Sequence, residues 1–147
     1  MKLSTRGSYG TRAMLYLALH YDEGPIQLKE IARTQAVSER YLEHLIIALK
    51  VAGMVNSTRG ARGGFVLARN PSLIKISEIV QVLEGSLSPM VCIEEPGSCL
   101  RSTGCVTRDL WTEMKMAMVG VLETTTLQNL VERYKAKEQS LQATYNI

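Results

Sequence analysis

Three cysteines, Cys92, Cys99 and Cys105, are the side chains best equipped for chemistry, and no other cysteine occurs in the 147 residues. An odd number confined to one short stretch argues against a disulfide framework and leaves metal, cluster or redox chemistry. The spacing Cys-x6-Cys-x5-Cys is not that of a closed zinc site, whose ligands pair about two to four residues apart to fold a tight knuckle. Wider spacing suits a larger object. A 2Fe-2S or 4Fe-4S cluster takes about four ligands, usually thiolates, and backbone N–H groups temper its negative charge; Gly97 and Gly104 keep the backbone accessible for that role. Two other uses stand beside this one: a thiol switch without metal, and packing of small apolar side chains. Turn residues dominate the stretch, which weighs against packing. For a fourth ligand the candidates are Glu94, Glu95, Asp109 or a group from a partner subunit. The two histidines, His20 and His44, are better placed elsewhere.

The elements that must position these thiols lie on either side. Residues 87–105 are irregular, with Pro89, Pro96 and two glycines among them. From Val106 to Thr124 the apolar positions Leu110, Met114, Ala117 and Val121 fall 4, 3 and 4 apart, which predicts a long helix with a dimer-type seam. Trp111, Met118 and Leu122 widen that stripe, so it can pack on its own domain and on a second copy at once, leaving Glu113 and Lys115 to solvent. Met114, Met116 and Met118 read as adaptable packing. Thr126 can cap a last short helix toward Lys137, and 138–147 reads as a tail.

Upstream, Tyr9–Tyr21 is a helix apolar on several sides, broken by Asp22-Glu23-Gly24-Pro25. Leu28, Ile31 and Ala32 mark a short second helix. Ser38 caps a third, whose buried stripe is Leu42, Leu45, Ile46 and Leu49 and which ends near Gly53. The pair is a helix-turn-helix. Val55–Thr58 and Phe65–Leu67 flank Arg59-Gly60-Ala61-Arg62-Gly63-Gly64 and form a hairpin, the wing. A fourth helix runs from Ser77 to Gly85. The fold class is therefore mainly α with a small β-hairpin: a winged helix-turn-helix domain over 1–86, a cysteine loop over 87–105, and a dimerisation helix with a short C-terminal helix over 106–137. In the third helix Arg40 and His44 lie opposite the buried stripe, with Glu43 beside them and Ser38 and Tyr41 near the N-terminal end, where base edges would be met. The wing adds Arg59, Gly60 and Arg62, a thin cationic turn suited to a narrow minor groove whose glycines let the backbone approach phosphates.

On these motifs the chain resembles the IscR-type winged-helix transcriptional regulators. The residues that carry the resemblance are Lys2-Leu3-Ser4-Thr5 with Tyr9-Gly10, Ser38-Glu39-Arg40-Tyr41-Leu42-Glu43, Arg59-Gly60-Ala61-Arg62-Gly63-Gly64-Phe65 and Val82-Leu83-Glu84-Gly85, and they span nearly the whole chain. The resemblance implies a homodimer on an imperfect palindrome of double-stranded DNA, with Ser38, Arg40, Tyr41 and Arg59 contacting it. It also implies an iron-sulfur cluster, expected as 2Fe-2S, on Cys92, Cys99 and Cys105, and control of cluster-biogenesis genes. Three departures stand out. His44 occupies a position where some members have glutamine, the first cysteine spacing is one residue longer than the commonest pattern, and Arg108 replaces a histidine found three residues after the third cysteine.

Composition narrows the alternatives. The chain is 46% hydrophobic and 21% charged with a formal net charge of +3, globular values that suit a nucleic-acid partner without requiring one. It contains no run of roughly 18 apolar residues that would cross a membrane, and no secretion-signal layout, so a cytoplasmic protein is expected. No nucleophile–base spacing suggests an enzyme. Two further functions stand against a cluster-modulated regulator: a CymR-like repressor controlled by a partner protein or thiol redox state, and a small iron-sulfur electron carrier, which would leave the helix-turn-helix and wing without a use.

Overall fold

A computed structural model describes residues 2–146. Helix α1 (Thr5–Leu19) begins where the Ser4 hydroxyl accepts the Gly7 N–H, one turn earlier than the apolar pattern from Tyr9 suggests. Its Ala13, Met14, Leu17 and Ala18 are buried. It is the hub: α2 (Leu28–Gln35), α3 (Glu39–Val51), α4 (Ile76–Glu84) and α7 (Leu127–Tyr145) all pack against it. Two glycines make the closest of these contacts possible. A Cβ on Gly7 would collide with the Glu84 carboxylate, and one on Gly10 with Leu83.

Leu42, Leu45, Ile46 and Leu49 of α3 are completely buried, each contributing about 1.5–3 kcal/mol of transfer free energy. This fixes the rotation of α3 about its axis, and so decides which residues face outward. The wing follows, with β1 (Val55–Thr58) antiparallel to β2 (Gly64–Leu67) and Val55 opposite Leu67. Ile26 adds a single antiparallel bridge to Phe65.

Helix α4 ends at Gly85, whose φ of 76° suits glycine. Beyond it lie a short helix α5 (Val91–Glu94), a 3-10 turn (Pro96–Ser98) and α6 (Val106–Thr124), in none of which a residue is buried. The bounds of α6 are those expected. Thr126 caps α7 as expected, accepting the Asn129 N–H while the Asn129 side chain accepts the Thr126 N–H. That helix is not short, however. It runs to Tyr145, through most of the segment read as a tail. Only its first turns, at Leu127 and Val131, enter the core. Among the described residues no helix is long and apolar enough to cross a membrane.

Candidate nucleic-acid interface and cysteine loop

The turn between α2 and α3 is made by Ala36, in the left-handed region at φ 54°, with its N–H and that of Val37 donating back to Arg33 and Ala32. These bonds satisfy carbonyls that the helix end leaves unpaired. Two residues on, Ser38 starts α3 by accepting the Tyr41 N–H at 3.2 Å. Arg40, Glu43 and His44 are exposed, as the buried stripe requires. Tyr41 is different: it is half-buried, its hydroxyl donates to Thr5 Oγ1 at 3.2 Å, and its ring meets Tyr9 edge-on. It ties α3 to the start of α1, a contact that no local pattern announces.

The wing presents Arg59, Gly60 and Arg62 to solvent. Ion pairs among the described residues use His20, Arg69, Lys75 and Lys115 and leave Arg40, Arg59 and Arg62 unengaged. The glycines divide by role. Gly60 turns the tip at φ 106°, with open space where a Cβ would be. Gly63 and Gly64 answer to the fold instead, since a Cβ would strike the Thr58 carbonyl at the first and the Ile26 backbone at the second. Phosphate approach is therefore not needed to account for these two. Side chains outside the recognised motifs brace the hairpin. Lys50 donates to Ser57 Oγ at 2.6 Å, and Gln27 reaches the Ala61 carbonyl at 3.5 Å.

Cys92 lies in α5, Cys99 follows the 3-10 turn, and Cys105 is the N-cap of α6. Cys99 is exposed and Cys92 and Cys105 half-buried, and among the described residues no three His, Cys, Asp or Glu side chains stand close enough together to hold a metal ion. One thiol is nonetheless activated. The Thr107 hydroxyl, 3.2 Å from Cys105 Sγ, and the backbone N–H of Arg108 hold the Cys105 thiol below the ordinary thiol range. This is the expected effect of donors at a helix N-terminus on a thiolate. Arg108 does not extend into solvent as a free cation. Its Nε donates to the Cys92 carbonyl at 3.0 Å and joins α6 to α5. Lys115, expected to be solvated, pairs with Glu94 at 3.5 Å. His20 caps the end of α1 and pairs with Glu23 at 2.6 Å, remote in sequence from the thiols.

Polar contacts lead from this loop to the recognition helix. Glu94, two residues from Cys92, accepts from the Ser86 and Ser88 hydroxyls at 2.6 and 2.9 Å, and these bonds together with Lys115 hold its carboxyl below the usual range. Two residues before Ser86, the Glu84 carboxylate accepts from the Ser4 N–H, the Ser4 hydroxyl and the Gly7 N–H at 2.7–3.1 Å. It caps the helix whose first residue, Thr5, receives Tyr41. Two motifs 80 residues apart, Lys2–Thr5 and Val82–Gly85, thus form one joint.

A helix-turn-helix with an exposed polar stripe, followed by a braced cationic hairpin, defines a winged-helix DNA-binding regulator. The family profile described as Rrf2, iron-dependent transcriptional regulator, matches residues 3–133, and the chain belongs to that family. It is 44% identical over 131 residues to the protein rrf2 of Nitratidesulfovibrio vulgaris, covering 89% of this chain and 87% of that one. The structure of CymR, the global cysteine regulator of B. subtilis, superposes with a TM-score of 0.80 at 41% identity over 90% of this chain and 98% of that chain. T. potens IscR gives 0.76 at 42% over 91% and 88%. The chain is thus similar both to an IscR and to a CymR, and the family is described, and that CymR named, as a regulator.

Proposed function

We propose that this Rrf2-family regulator binds an imperfect palindrome of double-stranded DNA as a cytoplasmic homodimer. Arg40 and His44 enter the major groove with Ser38 and Tyr41 at the helix entrance, while Arg59, Gly60 and Arg62 reach the minor groove. The observation that carries this is the unengaged stripe of Arg40 and His44, held outward by four fully buried residues and followed by a braced cationic wing. The homodimer is supported by α6, whose Leu110, Met114 and Val121 remain exposed along the seam predicted for a partner.

The loop supplies the signal. Three soft donors in one segment without buried residues, one of them with its pKa lowered by neighbouring hydrogen-bond donors, suit an iron-sulfur cluster, proposed as 2Fe-2S, and cluster-biogenesis genes are the targets such a sensor would control. As placed, the three thiols do not converge on a common centre. Binding a cluster requires them to draw together, and a segment without buried residues resists such movement little. A second reading is favoured by that same dispersion together with the activated Cys105: a CymR-like repressor that responds to thiol state or to a partner protein. Anaerobic purification with an absorption spectrum and iron and sulfide analysis separates the two. Coloured protein whose absorbance is mostly lost in each of Cys92→Ser, Cys99→Ser and Cys105→Ser supports the cluster. Colourless protein after reconstitution, with Cys105 alkylated faster than Cys99 near neutral pH, supports the thiol reading.

A further inference from the structure

The outward stripe of α3 does not end at His44. At about 100° per residue, Arg40, His44, Ile47 and Val51 fall within one narrow sector opposite the buried residues. Ile47 is 50% exposed and Val51 84%. Single exposed aliphatic residues are ordinary on protein surfaces, so exposure alone says little. The position of Ile47 says more, because it continues the line of side chains proposed to enter the major groove. It stands one turn beyond His44, about 4.5 Å further along the axis and about 10 Å from Arg40 at 1.5 Å per residue.

The helix runs out of groove soon afterwards. Lys50 turns aside to donate to Ser57 of the wing, and Val51 is the last helical residue before the turn at Gly53 into β1. Ile47 is the aliphatic member of the stripe's middle turn. Its side chain is branched at Cβ and in a helix occupies essentially one χ1 rotamer, so it is a stiff knob rather than an adaptable one. Isoleucine neither donates nor accepts a hydrogen bond. Placed against guanine O6 or N7, or cytosine N4, it would displace water and leave those groups unpaired. The major-groove edge offers one apolar complement, the thymine 5-methyl group.

We infer that Ile47 is a specificity-determining residue that packs on a thymine 5-methyl group in each half-site, adding an apolar readout to the hydrogen-bonding one of Arg40 and His44. This rests on the proposed placement of α3 in the major groove. The contact disfavours a cytosine or guanine edge at that position without touching the rest of the site.

The test removes the methyl from the DNA rather than the side chain from the protein. Duplexes that bind the full-length dimer are first selected from a random pool, and each thymine of the selected site is then replaced singly by deoxyuridine, which keeps the pairing and deletes the methyl. The expected result is one thymine per half-site whose replacement weakens wild-type binding about fourfold, and about 15-fold when both half-sites are changed, the value of one buried carbon in each. Ile47→Ala, carried by both protomers, should weaken binding to the unmodified site by about the 15-fold of the double replacement and be indifferent to deoxyuridine at that position. A flat scan on a site that still binds specifically and with steep salt dependence overturns the role of Ile47 while leaving the DNA placement intact. A thymine to which wild type and Ile47→Ala are equally sensitive also overturns it, since another residue then reads the methyl. If no duplex is enriched at all, the placement of α3 itself fails and the inference with it.

Discussion

The two regions of this chain that bear on function are held in place by different forces. Around the helix-turn-helix, Leu42, Leu45, Ile46 and Leu49 are sealed in the core, so the outward residues of α3 have no choice of direction. Around the thiols nothing is sealed. Cys92, Cys99 and Cys105 sit in a segment with no buried residue, held by Arg108 on the Cys92 carbonyl and by Glu94 on two serines and Lys115. A DNA-reading surface must exist before DNA arrives, because groove recognition depends on preformed spacing. A sensing loop must not be finished before its signal arrives, or it would have nothing to report. The contrast between apolar and polar support suits the division of labour proposed for the two regions.

The contrast can be broken most forcefully at the core. Leu45→Ala should cost about 2–5 kcal/mol of stability, read as a lower urea midpoint, because it empties a completely buried site; an unchanged midpoint would mean that α3 is not anchored as described. Next in size, Arg59→Ala should weaken operator binding by about 1–3 kcal/mol per half-site and flatten the salt dependence by about two units of slope, one from each protomer, measured by fluorescence anisotropy at several salt concentrations. Binding indifferent to Arg59 would remove the wing from the interface. Arg108→Ala should raise amide hydrogen exchange in 91–95 about fivefold, the worth of one hydrogen bond of about 1 kcal/mol, without altering exchange in α3. Equal protection in variant and wild type would show that α5 is held by something other than this contact. The smallest effect belongs to Cys99→Ser, which should change metal-free stability by no more than about 0.5 kcal/mol, since the side chain is exposed; a larger loss in a thermal melt would assign Cys99 a packing role.

What the sequence discloses follows the same division. Elements with an apolar stripe are readable: the third helix from its Ser38 cap and the Leu42 to Leu49 spacing, α6 from Leu110 to Val121 to its terminal residues, and the hairpin from its glycines. The end of α7 escapes, because Glu138-Gln139-Ser140-Leu141-Gln142-Ala143-Thr144-Tyr145 continues the helix by residue preference without a buried apolar face. Local periodicity is also blind to contacts across long stretches of chain. Glu84 reaching Ser4, Tyr41 reaching Thr5 and Arg108 reaching Cys92 are single polar bonds with no repeat to betray them. The motif Val82–Gly85 is visible, but its purpose as the cap of α1 is not. For the site, Arg40, His44, Arg59 and Arg62 emerge where residue type and position place them, whereas Gln27 and Lys50 lie outside every motif and are found only through the wing they support.

That support has a geometric consequence. With β2 bridged to Ile26 at Phe65, β1 tied to Lys50 at Ser57 and the tip reached by Gln27, the wing is linked to α3 and to the segment before α2 along its length. In the proposed complex the two arms of each protomer would act as a braced caliper, gauging the helical phase between a major-groove contact and the neighbouring minor groove. One extra base pair between those contacts lengthens the path by about 3.4 Å and rotates it by about 35°, from the roughly 10.5 base pairs and 36 Å of a turn. A hinged wing would absorb that change; a braced one would lose its grip on one groove or the other, so the proposed placement makes half-site length as much a part of the recognised signal as the bases themselves.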